Sequence, residues 1–230
     1  MRSCVQMVMR PLLQAARPTV ELGLPPLTGV PPLDPEVEES LCAAVGSLLA
    51  YHGFQLDSDW LMGVSGAAFR LGWRTDLLCC PSALSVYDRN PFTALGRALG
   101  ASFRSRSGQR FERALELVRK QLALGRPLLT SGLLGEAQWA VILGVSSLEY
   151  QPGRHYYDPP IPIVQLTVRL PDETEPRRVS LTAWSGCLPG RAQGPLWQPT
   201  PLVWIECPQP ALDPAAVLRE ALCGAVRQGQ

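Results

Sequence analysis

The sequence predicts an α+β fold in which a buried central helix packs on an antiparallel sheet. Helix-type patterns fill the first half of the chain and strand-type patterns fill the second, an order typical of α+β domains. Residues 40–52 repeat apolar side chains at helical spacing, and the other positions are mostly alanine, glycine and serine. Such small side chains allow close approach from several directions, so we expect this helix to be buried on most sides.

Capping residues predict where the helices begin and end. Gly53 follows the central helix as a C-terminal cap, and the helix starts either at Ser40 or at Asp34. The earlier start is supported by an aspartate cap, a proline at the first helical position and acidic residues in the first turn. The other helices are predicted from Asp57 or Ser58, over 90–99 before Gly100, over 110–124 before Gly125, and over 214–227.

Short apolar or alternating runs separated by glycine and proline predict the sheet. They cover 128–134, 140–145, 155–158, 163–170, 179–184 and 202–206, with a polar hairpin turn over 171–178. Together with the helices they predict three segments along the chain. These are a proline-rich N-terminal lead-in over 1–33, one α+β domain over 34–208, and a C-terminal helical segment over 209–230.

Composition excludes several classes of function. The 230 residues are 46% hydrophobic with a net charge of +1, and no basic block marks a nucleic-acid surface. We see no secretory signal and no apolar run of membrane-spanning length, so we expect a cytoplasmic protein with reduced thiols and no membrane partner. The seven cysteines include no Cys-x-x-Cys pair, so we expect no metal site and no cofactor.

Four stretches resemble a known family in order and spacing. They are Tyr51-His52-Gly53 at the end of the central helix, Met62–Arg70, Gln138–Gly144, and Tyr157-Asp158-Pro159. Together they resemble the N-terminal domain of the butirosin biosynthesis protein H family. That domain is similar to the bacteriocin-leader peptidases of the papain-like cysteine peptidase class. The resemblance implies a papain-like fold in a bacterial protein. It also implies acyltransferase chemistry, with an acyl carrier protein as a candidate partner.

The residues that this family uses for catalysis are mostly replaced here. A papain-like site needs a thiolate at the start of the central helix, an imidazole from a strand, and a carboxylate or amide that orients the imidazole. Alignment from Tyr51-His52-Gly53 puts Ser40 at the nucleophile position, Gln138 at the imidazole position and Asp158 at the orienting position. The glutamine that assists the oxyanion falls near Asp34. Glutamine cannot accept a proton at neutral pH, so we predict a non-catalytic domain.

The residues leave two functional hypotheses open. In the first, a degenerate cleft with Ser40, Cys42, Gln138 and Asp158 in its floor binds a small molecule or a peptide. In the second, Cys42 is the nucleophile of an acyltransferase, an amidase or a peptidase. Its base would be His155, or else His52, although a histidine at a helix C-terminus is usually a surface residue that compensates the helix dipole. The apolar neighbours of Cys42 favour a buried thiol and therefore the first hypothesis.

Overall fold

The computed structural model confirms an α+β architecture and describes residues 19–37, 40–65, 91–106, 111–133, 138–151, 161–181 and 201–206. Its helices are α1 (Ser40–Tyr51), α2 (Ser58–Ser65), α3 (Pro91–Leu99) and α4 (Phe111–Ala123). Its strands are β1 (Val20–Leu24), β2 (Phe103–Arg106), β3 (Leu128–Ser131), β4 (Trp139–Gln151), β5 (Ile161–Arg169), β6 (Arg177–Leu181) and β7 (Leu202–Ile205).

All the described strands join one antiparallel sheet, as the sequence predicts. The main strand order is β2-β7-β3-β4-β5-β6. The long strand β4 is the centre of this sheet, since β5 runs along one of its edges. Its other edge is shared, because β3 pairs with residues 139–142 and β1 pairs further on, with residues 145–148. The start of β4 therefore lies beside β3, where the central helix also begins.

Helices cover both faces of the sheet. In β4, Trp139 and Val141 belong to the core formed with α1, α2 and α3. The alternate residues Ala140 and Ile142 belong to a second core with α4 on the opposite face. Because both faces are covered, the first half of β4 is apolar at every position rather than at every second one. The prediction of a helix buried on most sides is confirmed for α1, whose residues Ser40 to Val45 are all buried.

The glycine caps predicted for the helices are present. Gly53 has a φ of 85°, its N–H donates to the carbonyl of Ala50, and the next N–H, from Phe54, donates to Leu49. This pair of bonds is the Schellman motif. Gly100 after α3 and Gly125 after α4 also have positive φ angles. The alternative start of α1 at Asp34 is wrong, because α1 begins at Ser40 and the Asp34 carboxylate instead accepts the N–H of Glu36 in a separate turn.

The segment from Pro25 to Leu33, called the strap below, crosses the face of the sheet. Its Leu27 N–H donates to the carbonyl of Leu143 in β4, and its carbonyl at Val30 accepts from the side chain of Arg169 in β5. Val30 and Leu33 are buried in the core beside α1. The strap and β1 both fall within the predicted lead-in, and the strand there is not predicted by the sequence.

Strand boundaries differ most from prediction in β4, which was expected over 140–145 and extends to Gln151. The pairing with β5 shifts register between Ile142 and Gly144 and again between Val145 and Ser147. Each shift inserts a residue that breaks the alternation on which the prediction depends. Strands β1 and β2 were not predicted. The predicted strand over 155–158 and helix over 214–227 lie outside the described residues.

Candidate functional site

The first residue of α1 contacts the first residue of β4. The main-chain N–H of Trp139 donates to the hydroxyl oxygen of Ser40 at 3.1 Å, and both residues are buried. That N–H belongs to the peptide group between Gln138 and Trp139. The structure therefore brings together two of the positions that the family alignment selects, 40 and 138. Ser40 contributes its side chain, and Gln138 contributes the peptide group that it shares with Trp139. A polar junction results at the end of an otherwise apolar core.

Gln138 lies just before β4 and is half-buried. Its carbonyl accepts the N–H of Gly132 at 3.2 Å, which closes the connection from β3. The indole of Trp139 packs edge-on against Phe92 of α3, with ring centroids 5.4 Å apart. Trp139 is therefore a core residue. Because neighbouring side chains of an extended chain point to opposite faces, the side chain of Gln138 is expected to point away from α3.

Cys42 lies on a different side of α1 from Ser40. Residues two apart on an α-helix are separated by about 200° around its axis. The Cys42 thiol contacts the hydroxyl of Ser65 in α2, with Sγ and Oγ 3.8 Å apart, and that hydroxyl donates to the carbonyl of Met62. The residue is only 3% exposed, which confirms the predicted burial. The sulfur faces α2, whereas Ser40 faces the sheet.

Three polar side chains anchor α1 along one stripe, which we call the anchoring stripe. Ser40 accepts from Trp139, Ser47 donates to the carbonyl of Pro31 at 2.6 Å, and Tyr51 donates to the carbonyl of Gly125 at 3.1 Å. Ser47 and Tyr51 follow Ser40 by seven and eleven residues, so the three side chains lie within about 40° of one another around the helix. This spacing is visible in the sequence, but no contact was predicted for it.

His52 is not the surface residue that its position predicts. It is half-buried, its Nε2 is buried without a hydrogen-bond partner among the described residues, and its ring meets Tyr51 edge-on. Burial lowers the pKa of His52 below the ordinary 6.5, and the charge of Arg126 lowers it further. His52 also follows Cys42 by ten residues, about 15 Å along the helix axis, and cannot act as its base.

The remaining candidate site residues either lie away from Ser40 or fall outside the described residues. Asp158 and His155 lie outside the described residues, so their places in the proposed site stay predictions. Asp34 caps its own turn, and no contact with Ser40 is found for it among the described residues. Within the described ranges, no group of three His, Cys, Asp or Glu side chains could hold a metal ion. No helix in the described part of the chain is long and apolar enough to span a membrane.

Comparison of the chain with family models, with curated proteins and with solved structures gave no match in any of the three.

Proposed function

We propose that this chain is a non-catalytic domain with a papain-like arrangement that binds a small molecule or a peptide where α1 and β4 begin. The observation that carries the proposal is the hydrogen bond from Trp139 N–H to Ser40. In a papain-like domain the central helix begins beside the strand that bears the imidazole. Here the corresponding positions, Ser40 and Gln138, belong to two segments in direct contact.

The side chains at this junction support binding rather than catalysis. The Ser40 hydroxyl is buried and accepts a main-chain N–H, so one of its lone pairs is already used. A serine needs a neighbouring base to become a nucleophile, and the strand position that would supply the base holds Gln138. Glutamine offers a donor and an acceptor at every pH in the physiological range. Such a side chain can orient a polar ligand group but cannot take its proton.

The orientation of Cys42 argues against the acyltransferase alternative. A thiol nucleophile must reach both a base and the substrate, and catalytic cysteines lie in partly exposed, electropositive surroundings. Cys42 is buried against Ser65 of α2 and is directed away from the junction with β4. Catalysis through this sulfur would require α1 to rotate or α2 to move away.

Two classes of probe test the proposal by native and intact mass spectrometry. The first is a panel of acetylated, amidated tripeptides, and the second is a pair of N-acetylcysteamine thioesters with a short and a medium acyl chain. We expect a non-covalent complex with at least one probe and no covalent adduct. If a buried hydrogen bond is lost, Gln138→Ala should weaken that complex by about 1–3 kcal/mol, roughly 5- to 150-fold in Kd.

Gln151→Ala is the matched control, because Gln151 is an exposed glutamine at the other end of β4. It should leave both binding and folding unchanged. If the two substitutions weakened probe binding equally, the binding site would not lie at the start of β4. A thioester adduct mapped to Cys42 would overturn the binding proposal in favour of acyl transfer, and failure to bind any probe would contradict it for both ligand classes.

A further inference from the structure

The C-terminal ends of α1 and α4 meet at the end of α1 that lies far from the proposed binding site. Helix α4 ends like α1, because the N–H of Gly125 donates to Leu122 and the N–H of Arg126 donates to Gln121. Tyr51 then links the two ends, since its hydroxyl donates to the carbonyl of Gly125. We call this arrangement the double cap. It joins helices that lie on opposite faces of the sheet.

His52 lies inside the double cap. It is the last residue before Gly53, its ring contacts that of Tyr51 with centroids 5.2 Å apart, and its N–H donates to the carbonyl of Leu49. The ring atom Nε2 is buried and finds no acceptor among the described residues. A neutral ring tolerates this position, because Nε2 can be the unprotonated nitrogen. A protonated ring would bring a second N–H and a full charge into the same place without a partner.

Among the described residues, the charged groups around the double cap do not favour a cation there. On α1 the neighbouring titratable group is Tyr51, and from the turn after α4 it is Arg126, whose positive charge opposes protonation of His52. Glu206, which follows β7, also feels the charge of Arg126. Its carboxylate is engaged with Arg104 of β2 at 2.8 Å. The partial negative charge of two helix C-termini is the remaining favourable influence on a cation.

We propose that His52 is a pH-sensitive latch: its neutral ring keeps the double cap closed, and its protonation opens it. Opening frees the C-terminal end of α1 from the turn after α4 and lets water reach Nε2. The remaining contacts of the anchoring stripe, at Ser40 and Ser47, are not part of the double cap. The latch therefore controls how firmly the central helix is held at one end, independently of whether a ligand binds at the other.

The direction of the pH effect follows from the lowered pKa of His52 in the closed state. The closed state binds fewer protons than the open state, so the closed double cap is fully favoured above about pH 6.5, the ordinary value. As the pH falls below 6.5, the open form gains a proton that the closed form does not. The opening equilibrium constant therefore rises by up to tenfold per pH unit, until the pKa of the closed state is reached.

Amide hydrogen exchange of the full chain between pH 7.5 and 5.5 tests the latch. Rates are converted to protection factors, which removes the pH dependence of the exchange chemistry itself. The amides to follow are those of Gly53, Phe54, Gly125 and Arg126, and the amide of Ile142 in β4 serves as the internal reference. We expect protection at the double cap to fall below pH 6.5 by up to tenfold per unit while the reference stays constant.

Two variants separate the latch from general acid weakening. His52→Asn cannot gain a proton, so its double-cap protection should be independent of pH over this range. Arg126→Gln removes the opposing charge and raises the pKa of His52 towards 6.5, so the total loss of protection should be smaller than in the wild type. The latch is overturned if wild-type protection is constant. It is equally overturned if His52→Asn loses protection as the wild type does.

Discussion

At the scale of single residues, three hydroxyl-bearing side chains of α1 form hydrogen bonds with main-chain groups of other segments. Ser40, Ser47 and Tyr51 each contact a backbone atom distant in sequence. Buried polar groups are costly unless they are hydrogen-bonded, so these contacts determine the rotation of α1 about its axis. The same rotation directs Cys42 towards α2. Ser40, which the alignment predicts to be at the nucleophile position, thus makes a structural contact in this chain.

Ser40→Ala should destabilise the folded protein by about 1–3 kcal/mol, because the buried N–H of Trp139 loses its acceptor. Urea unfolding followed by circular dichroism measures this as a lower midpoint with an unchanged slope. Ser180→Ala is the control, since Ser180 is an exposed residue whose hydroxyl donates to the side chain of Gln165. Its cost should stay within about 0.5 kcal/mol. Equal costs for the two variants would show that the Ser40 contact contributes nothing specific.

Cys42 should resist alkylation in the folded protein, because it is buried and the reagent must reach a thiolate. Brief treatment with iodoacetamide at neutral pH, followed by peptide mass spectrometry, measures the modified fraction of each of the seven cysteines. The same treatment in urea should label Cys42 fully, which shows that the peptide is detectable. Labelling of native Cys42 ahead of the other cysteines would restore the case for a catalytic thiol.

At the scale of helices and strands, local signals predicted more than long-range ones. Gly53, Gly100 and Gly125 end helices because each adopts a positive φ that other residues rarely accept, and this property is visible in the sequence. The hairpin turn between β5 and β6 was predicted from another local signal, the polar run over 171–178. Strands β1 and β2 were missed because short edge segments are defined by their partners, β4 and β7, rather than by their own pattern.

The candidate site shows the same limit. Alignment selected Ser40 and Gln138 as neighbours, and their segments do meet. The alternative bases for Cys42 had to lie at the right distance from its thiol and in the right orientation. The spacing of residues along the sequence does not determine either. For His52 the position at a helix end suggested exposure, whereas the residue is half-buried and its Nε2 is enclosed. The neighbouring Tyr51 bonds to a turn more than seventy residues later in the chain, a contact that no local pattern could have predicted.

Gly53→Ala tests the cap of α1. Alanine at a φ of 85° is strained, so the variant should lose about 1–2 kcal/mol of unfolding free energy even though the added methyl group meets nothing within 4 Å. Gly63→Ala is the matched control, because Gly63 lies within α2 and its added methyl group also meets open space. That substitution should stabilise the protein by about 0.5–1 kcal/mol. Thermal unfolding should therefore shift in opposite directions, and a shift in the same direction would contradict the cap.

At the scale of the whole molecule, the strap joins the central helix α1 to strands β4 and β5 of the sheet. Besides Leu27 and Val30, whose main-chain atoms contact β4 and β5, Pro31 accepts the hydroxyl of Ser47 in α1. Pro26 passes so close to Gly144 that a methyl group there would lie 2.9 Å from its Cα. The register shift of β4 beside Gly144 therefore lies where the strap passes closest to the strand.

A domain boundary at residue 34 would separate the strap from the core that surrounds it. A chain that begins at Asp34 should lack a cooperative thermal transition, because it loses β1, the strap contacts with β4 and α1, and the buried side chains of Val30 and Leu33. Within the full chain, Leu33→Ala should cost about 2–5 kcal/mol through the cavity it leaves, since Leu33 is 2% exposed. Val20→Thr, at a position 46% exposed in β1, should change stability by no more than about 0.5 kcal/mol. Urea titrations rank the three proteins against the wild type, and a truncated chain that unfolds cooperatively at the wild-type midpoint would show that residues 1–33 are dispensable.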